Sequence, residues 1–94
     1  MPCKISVATE VKSDILDCDE TAREQIRAFL LGLQQDPLPR GRRSLGKSAF
    51  FEQLPCGHFV AWEVLGDVLK MALTGDMTGI TVHVLGVGRR RPKR

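Results

Sequence analysis

Most of the residues that could do chemistry in this sequence are cations, and they are concentrated in two short stretches. The first stretch holds Arg40, Arg42, Arg43 and Lys47, and the second holds Arg89, Arg90, Arg91, Lys93 and Arg94. Residues 1–36 carry four Lys/Arg against seven Asp/Glu, a net charge of −3, whereas residues 37–94 carry ten against four, a net charge of +6. This asymmetry indicates association with a phosphate-rich or carboxylate-rich partner. The alternative for either stretch is a solvated segment that binds no ligand.

The sequence offers few groups for conventional acid-base or nucleophilic catalysis. His83 lies in a strand-like segment and could act as a general base, although an ordinary core or surface role is more common for such a histidine. His58 follows a turn glycine, and we predict it to be a satisfied residue at a strand end. No serine or cysteine lies in a nucleophile elbow, and no paired carboxylates fall on one predicted element. Ordinary hydrolase chemistry is therefore not indicated.

Residues 41–48 match the pattern G-x-x-x-x-G-K-[ST], which binds phosphates in nucleotide-binding proteins. That loop works only between a strand and a helix, because its N–H groups and the helix N-terminus must meet the phosphates. Here two prolines, Pro37 and Pro39, precede the segment and the strand-like Phe50 and Phe51 follow it. We therefore predict a basic loop and no small-molecule substrate, and nucleotide binding is the least favoured of three functional hypotheses.

Cofactors, metals and membrane spans are not expected. The three cysteines, Cys3, Cys18 and Cys56, show no C-x-x-C spacing, which is typical of reduced thiols in a cytosolic chain. The histidines do not complete a zinc ligand set. The longest apolar runs, residues 59–65 and 80–87, are far shorter than the roughly 20 residues that span a bilayer. With no secretory signal pattern at the N-terminus, we predict a cytoplasmic protein.

A single domain must position these residues, because a chain of 94 residues cannot divide its core between two units. We predict a domain over residues 1–88 and a basic tail over residues 89–94. The alternation of Ile5 and Val7 with polar neighbours predicts a first strand. Ser13 is a candidate N-cap for a short helix that follows it.

The strongest helix pattern begins at Thr21, which with Glu24 forms a candidate capping box. An apolar stripe then follows helical spacing at Ala22, Ile26, Phe29, Leu30 and Leu33. The pattern predicts a helix over about residues 21–35. The prolines that follow Asp36 end it, because proline lacks the donor N–H and restricts the residue before it.

The second half of the chain predicts a small antiparallel sheet. Residues 49–54 and 58–65 form a predicted hairpin, and residues 80–87 form the last strand. Alternation along the hairpin places Trp62 on the face that covers the helix stripe, where we expect it to be the central core residue. Residues 66–78 fit either an extra strand or a helical turn, because periodicity cannot decide over so few residues. The predicted class is α+β, with two N-terminal helices packed on this sheet.

Four short motifs follow one another along these predicted elements. They are Ser44-Leu45-Gly46, Phe50-Phe51-Glu52, Gly57-His58-Phe59-Val60 and Val84-Leu85-Gly86-Val87-Gly88-Arg89-Arg90. In this order the elements and motifs resemble the RelE/ParE superfamily of bacterial toxins over nearly the whole chain. The resemblance implies a sheet with two helices on one face and a basic groove on the other.

The resemblance also implies site residues. Nucleolytic members of the superfamily cut messenger RNA on the ribosome, mainly with cations. Arg90 matches the arginine of the closing G-x-R motif, and a rearranged catalytic site would use it with Arg43, Lys47 and His83. Glu52 is the candidate base of such a site.

The sequence departs from the superfamily pattern on the hairpin. The arginine of the middle strand is replaced by Phe59, and the lysines of the preceding strand are replaced by Phe51 and Gln53. The family's C-terminal tyrosine, which contacts the nucleotide, has no counterpart, since the sequence contains no tyrosine. These changes remove groups that would stabilise charge during phosphodiester cleavage.

Two functional hypotheses follow from the resemblance. The first is a toxin-like component of a toxin–antitoxin pair that binds ribosomal or messenger RNA, and whether it also cleaves the message is left open. Its expected RNA contacts are Arg40, Arg42, Arg89, Arg91, Lys93 and Arg94. The second is a binding module without catalysis, either a gyrase-directed ParE-like toxin or a decayed toxin held by its antitoxin. An acidic antitoxin segment that folds on binding is the expected protein partner. Both hypotheses require the two basic stretches to meet on one face of the sheet.

Overall fold

The computed structural model describes residues 3–92, which form three helices and a five-stranded sheet. The elements are β1 (Lys4–Val7), α1 (Thr9–Leu16), α2 (Glu20–Gln35), β2 (Arg43–Ser44), β3 (Ala49–Gln53), β4 (Phe59–Leu65), α3 (Val68–Thr74) and β5 (Thr81–Gly88). The predicted α+β class with two N-terminal helices is confirmed. No helix within residues 3–92 has the length and apolar character needed to cross a membrane.

The strand order across the sheet is β1-β5-β4-β3-β2. Neighbouring strands are antiparallel except for β1 and β5, which are parallel, with Ile5 beside Val82. The sheet is therefore mixed, where the sequence predicted antiparallel pairing throughout. Periodicity reports which face a side chain takes and carries no information on the direction of a partner strand so distant in sequence. The predicted hairpin of β3 and β4 is present in the expected register, with Phe51 beside Ala61.

The core lies between one face of the sheet and the helices. Its fully buried members include Ile26 and Leu33 from α2, Val60, Trp62 and Val64 from β4, and Val82 and Val84 from β5. Trp62 is completely buried, as predicted, and its Nε1–H donates to the carbonyl oxygen of Pro37 at 3.0 Å. Its ring meets Phe29 edge-on at a centroid distance of 5.4 Å. The indole therefore joins α2, the segment that ends it, and the middle of the sheet.

Both N-terminal helices begin at different residues from those the sequence predicted. The cap of α2 is Asp19, whose Oδ1 accepts the Ala22 N–H at 2.8 Å, so the proposed capping box of Thr21 and Glu24 is wrong. Asp and Thr are both good caps, and the helix extends to the earlier one. The α1 helix begins at Thr9, before the predicted cap Ser13, and this extension buries Val11 in the core.

Replacing Asp19 by alanine is expected to lower the free energy of unfolding by about 1 kcal/mol, because the Ala22 N–H loses its acceptor at the helix N-terminus. Thr21→Ala is the matched control, since Thr21 is exposed within the first turn, and it should change stability by less than about 0.5 kcal/mol. Urea unfolding followed by circular dichroism measures both. Equal losses for the two variants would contradict the assignment of the cap.

The two segments that the sequence left open are now defined. Residues 66–78 contain α3, which is capped by Asp67 through a 3.0 Å bond from the Lys70 N–H and ends at Gly75 in the left-handed conformation. The basic loop before β3 contains the two-residue strand β2, which pairs with Phe50 and Phe51. Lys47 lies in the turn between β2 and β3, so a strand follows it in place of the helix that a phosphate-cradling loop requires.

Candidate nucleic-acid interface

The face of the sheet opposite α1 and α2 carries the candidate site, and we call it the open face. Register and alternation assign its residues, because successive side chains along a strand point to opposite faces. They are Ala49, Phe51 and Gln53 from β3, Phe59, Ala61, Glu63 and Leu65 from β4, and Thr81, His83, Gly86 and Gly88 from β5. The open face is thus apolar and glycine-containing at the end of β5 and polar at its start.

A β-bulge in β5 determines which residues of that strand reach the open face. Val84 pairs with Trp62, but the next pair is Gly86 with Ala61, so Leu85 has no partner on β4. One extra residue reverses the alternation beyond it. Gly86 and Gly88 therefore share the open face with Ala61, whereas Val87 packs against the core. Arg90 lies beyond the end of β5 and lines the cavity at this end of the open face.

Two cavities lie side by side on the open face and share Phe59 as a wall. The first, which we call the apolar cavity, has a volume of about 580 Å³ and is lined by Phe59, Ala61, Gly86 and Gly88, with Leu45 and Arg90 at its sides. The second, which we call the polar cavity, has a volume of about 450 Å³ and is lined by Arg43, Phe51, Glu52, Phe59 and Arg91 among others. Arginines from both basic stretches therefore meet around one phenylalanine ring.

The segment after β5 is held on the open face by a cation–π contact. The guanidinium carbon of Arg91 lies 5.4 Å from the centroid of the Phe51 ring. Phe51 is 3% exposed and stands next to Phe59 at a centroid distance of 6.0 Å. A cation over an aromatic face is stabilised by the ring quadrupole. Phe51 thus orients Arg91 and supports the ring of Phe59 from the side.

Glu52 borders the polar cavity without forming an ion pair among the described residues. Its Oε1 is buried and has no hydrogen-bond partner within residues 3–92. Gly41 covers the carboxyl so closely that a Cβ at that position would stand 3.0 Å from the Glu52 Cδ. Burial raises the pKa of Glu52 above its ordinary range, because desolvation penalises the charged form. In the register of the sheet Glu52 stands opposite the core residue Val60, so it alternates to the face away from Phe51 and Phe59 and only borders the polar cavity.

The raised pKa of Glu52 predicts a pH-dependent effect of Glu52→Gln on stability. In the native state the carboxyl holds its proton to a higher pH than in the unfolded chain, so wild-type stability falls as pH rises from the ordinary glutamate range through the native pKa. The glutamine variant lacks this loss. We expect its melting temperature to exceed that of the wild type at neutral pH, by a margin that narrows at acidic pH. An advantage that does not shrink on acidification would contradict the assignment.

His83 and Lys47 lie toward the opposite end of the sheet. His83 pairs with Glu63, and its Nδ1 lies 3.4 Å from the Ser6 Oγ on β1. Lys47 precedes Ser48, whose carbonyl accepts the Val64 N–H at that same end. Five residues separate His83 from Gly88, a distance of roughly 16 Å along a strand. The structure thus places Arg90 and Arg43 in the two cavities that share Phe59, sets Glu52 at the border of the polar cavity, and leaves His83 and Lys47 outside both.

The remaining predicted contacts are distributed unevenly. Arg42 donates to the carbonyl oxygens of Leu38 and Pro39 at 3.2 Å and covers the Phe50 ring at 5.6 Å, so it serves the packing of the helix-covered side. Arg40 is exposed before β2. Arg89 lines the apolar cavity and also faces a smaller pocket beside α1. The predicted contacts Lys93 and Arg94 lie outside the described residues.

A thiol–imidazole cluster stands on the other side of the sheet. His58 is 6% exposed, with its Nε2 3.5 Å from the Cys18 Sγ and its Nδ1 3.7 Å from the Cys56 Sγ. Its prediction as a satisfied residue is confirmed. Burial raises the pKa of the Cys18 thiol, which favours the unreactive protonated form. No set of three His, Cys, Asp or Glu side chains within residues 3–92 is arranged to hold a metal ion.

From the sequence, Phe51 and Phe59 were notable only because they replace expected cations. The structure shows that their two rings form the centre of the site. The signal was present in the alternation of the hairpin, which places Phe59 and Ala61 on the face away from the helices. The contribution of Leu45 and of the glycines of β5 was also missed. Both depend on the β2 pairing and on the bulge, which leave no periodic pattern in the sequence.

These features define a class: a small α+β domain with one face of its sheet covered by helices and the other open and rimmed by arginines. Neither a protein-family profile nor a curated protein matches the sequence. Solved structures do. The isolated Escherichia coli RelE toxin superimposes with a TM-score of 0.69 at 16% identity, covering 98% of this chain and 88% of that chain.

Two further matches come from other organisms. The RelBE toxin–antitoxin complex of Mycobacterium tuberculosis gives a TM-score of 0.68 at 17% identity, covering 96% of this chain and 100% of that chain. The archaeal RelE–RelB complex of Pyrococcus horikoshii gives 0.66 at 12% identity, covering 98% and 100%. The chain therefore has the fold of the RelE toxins, as the sequence resemblance implied.

Proposed function

We propose that this chain is the toxin-like component of a toxin–antitoxin pair and that it binds RNA on its open face. The observation that carries the proposal is the meeting of Arg43, Arg90 and Arg91 around Phe59, because cations from two distant stretches share one concave surface. Cations placed along a groove neutralise backbone phosphates and release counterions. An RNA or ribosomal target would place the protein in the cytoplasm.

The protein partner that fits this surface is an acidic antitoxin segment. The solved structures of the same fold from M. tuberculosis and P. horikoshii are complexes of RelE-type toxins with their antitoxins. An acidic, disordered segment that folds across the open face would cover the arginines and compete with RNA. The same arginines would then bind RNA in the free toxin and the antitoxin segment in the inhibited complex.

A binding module without catalysis is the second candidate. The positions where the resemblance expects an arginine and lysines hold Phe59, Phe51 and Gln53, so fewer cations are available to stabilise a phosphorane. His83 and Lys47 lie too far along the sheet to replace them. Messenger cleavage would then rest on Arg43, Arg90 and Glu52, and in its absence the chain would act by occupying its target, as a gyrase-directed relative or a decayed toxin.

Induced expression in a bacterial host, combined with RNA binding by the purified chain, tests the proposal. We expect growth arrest and salt-dependent binding of single-stranded RNA. Ribosome-dependent message cleavage that is lost in Arg90→Ala identifies a nuclease, whereas arrest with intact message and DNA damage identifies a gyrase-directed toxin. Arg27→Ala, on the exposed side of α2, is the control. Absence of RNA binding by the wild type would contradict the RNA proposal.

A further inference from the structure

The apolar cavity has the shape and lining of a site for a flat ring, and this inference rests on the proposed RNA function. Phe59 forms one side of the cavity, and Gly88 is its partner across the strand pair. A Cβ built on Gly86 or Gly88 would meet no atom within 4 Å, so open space stands above this part of β5. The volume of about 580 Å³ lies within the range of small-molecule and cofactor cavities, roughly 300 to 1,000 Å³.

We propose that the apolar cavity binds an unpaired nucleobase stacked on Phe59, while Arg43, Arg90 and Arg91 bind the flanking phosphates. A single strand joins bases with apolar faces to a charged backbone. The apolar cavity suits the base, and the arginine-lined polar cavity on the other side of the Phe59 ring suits the backbone. Base–aromatic stacking is the standard device for holding single strands. A duplex would have to unpair and unstack a base, at a cost in free energy, before that base could enter a cavity, so the substrate class that fits is single-stranded nucleic acid.

This assignment gives Phe59 a role that a cation at the same position could not fill. A guanidinium there would hold a phosphate through charge and would respond to salt. A phenyl ring adds affinity by stacking on the base, and the salt dependence of binding then comes from the arginines alone. The chain would therefore discriminate a strand with bases from a bare sugar–phosphate backbone of equal charge, and that discrimination is measurable without any catalytic activity.

The test compares a short single-stranded RNA with an abasic strand of the same length, using fluorescence anisotropy over a range of salt concentrations. The wild type should bind the strand with bases about 10-fold more tightly, and Phe59→Leu should abolish that preference without changing the salt slope. Phe50→Leu, which removes a phenyl ring from the helix-covered side of β3, is the control and should retain the preference.

A second variant keeps the test informative if Phe59→Leu folds poorly. Gly88→Val fills the open space opposite Phe59 with a side chain that strands accommodate well, and it should abolish the preference in a stably folded protein. Equal binding of both strands by the wild type would overturn the stacking proposal and leave phosphate binding intact. Loss of binding to an acidic, leucine-rich peptide in Phe59→Leu, with RNA binding unchanged, would overturn it by making the cavity a peptide site. Failure of the wild type to bind either strand would count against the RNA function itself.

Discussion

Simultaneous replacement of Arg43, Arg90 and Arg91 by alanine is expected to weaken binding of single-stranded RNA roughly 100-fold at moderate salt, because each removed cation forfeits about one charge-assisted phosphate contact. The slope of log affinity against log salt should decrease by about 2, since each contact with a single strand contributes about 0.7. Anisotropy titrations at several salt concentrations give both quantities.

The control for this variant is the triple replacement of Lys12, Arg23 and Arg27 by alanine. These cations are exposed on α1 and α2, and their loss changes the net charge of the chain by the same three units. If binding depends on net charge alone, both triple variants should weaken it equally. Such equality, or an unchanged slope in the open-face variant, would contradict the assignment of the open face as the phosphate-binding surface.

Trp62→Ala is expected to lower the free energy of unfolding by about 3 to 5 kcal/mol, a large fraction of the stability of a small domain. The indole is completely buried between Phe29 and Phe50, so its removal leaves a cavity, and the Pro37 carbonyl loses its donor at the same time. Urea unfolding monitored by circular dichroism measures the change, and the purified variant is expected to be partly unfolded at growth temperature.

Trp62→Phe is a milder change, because the phenyl ring retains much of the apolar volume while the indole N–H and part of the ring system are removed. Its expected cost is about 1 to 2 kcal/mol. Leu69→Ala is the surface control, since Leu69 on α3 is 70% exposed and its truncation should change stability by less than about 0.5 kcal/mol. A loss of less than about 1 kcal/mol in Trp62→Ala would mean that the core can reorganise around the missing indole.

Much of the helix-covered side of the molecule could be predicted from the sequence. The stripe through Ile26 and Leu33 has the period of a helix, and the burial of Val60, Trp62 and Val64 follows the period of a strand. These patterns can be recognised in the sequence because an element that is buried on one side repeats its apolar residues with the period of the helix or strand. The first residues of α1 and α2 were harder to predict. Ser, Thr and Asp are all good N-cap residues, and only the packing of the folded chain selects among the candidates Ser13, Asp19 and Thr21.

The open face was predictable in charge and unpredictable in detail. The concentration of cations in two stretches predicted that both would border one surface, and of their members Arg43, Arg89, Arg90 and Arg91 line the two adjoining cavities. Composition could not reveal that Arg42 packs against Phe50, because the sequence does not distinguish an arginine that covers an aromatic ring from one that binds a phosphate. Nor could composition reveal that His83 would lie at the end of β5 that is remote from the two cavities.

The sequence by itself therefore determined the two N-terminal helices, the strands of the hairpin and β5, the core face and the location of positive charge, because each of these is a property of neighbouring residues. The tertiary structure alone decided the parallel pairing of β1 with β5, the contact of Arg91 with Phe51 and the reversal of alternation at Leu85. A strand has a side-chain period of two, so one unpaired residue moves every later side chain to the other face. That single residue places Gly86 and Gly88 on the same face as Phe59, and only the pairing of β5 with β4 reveals it.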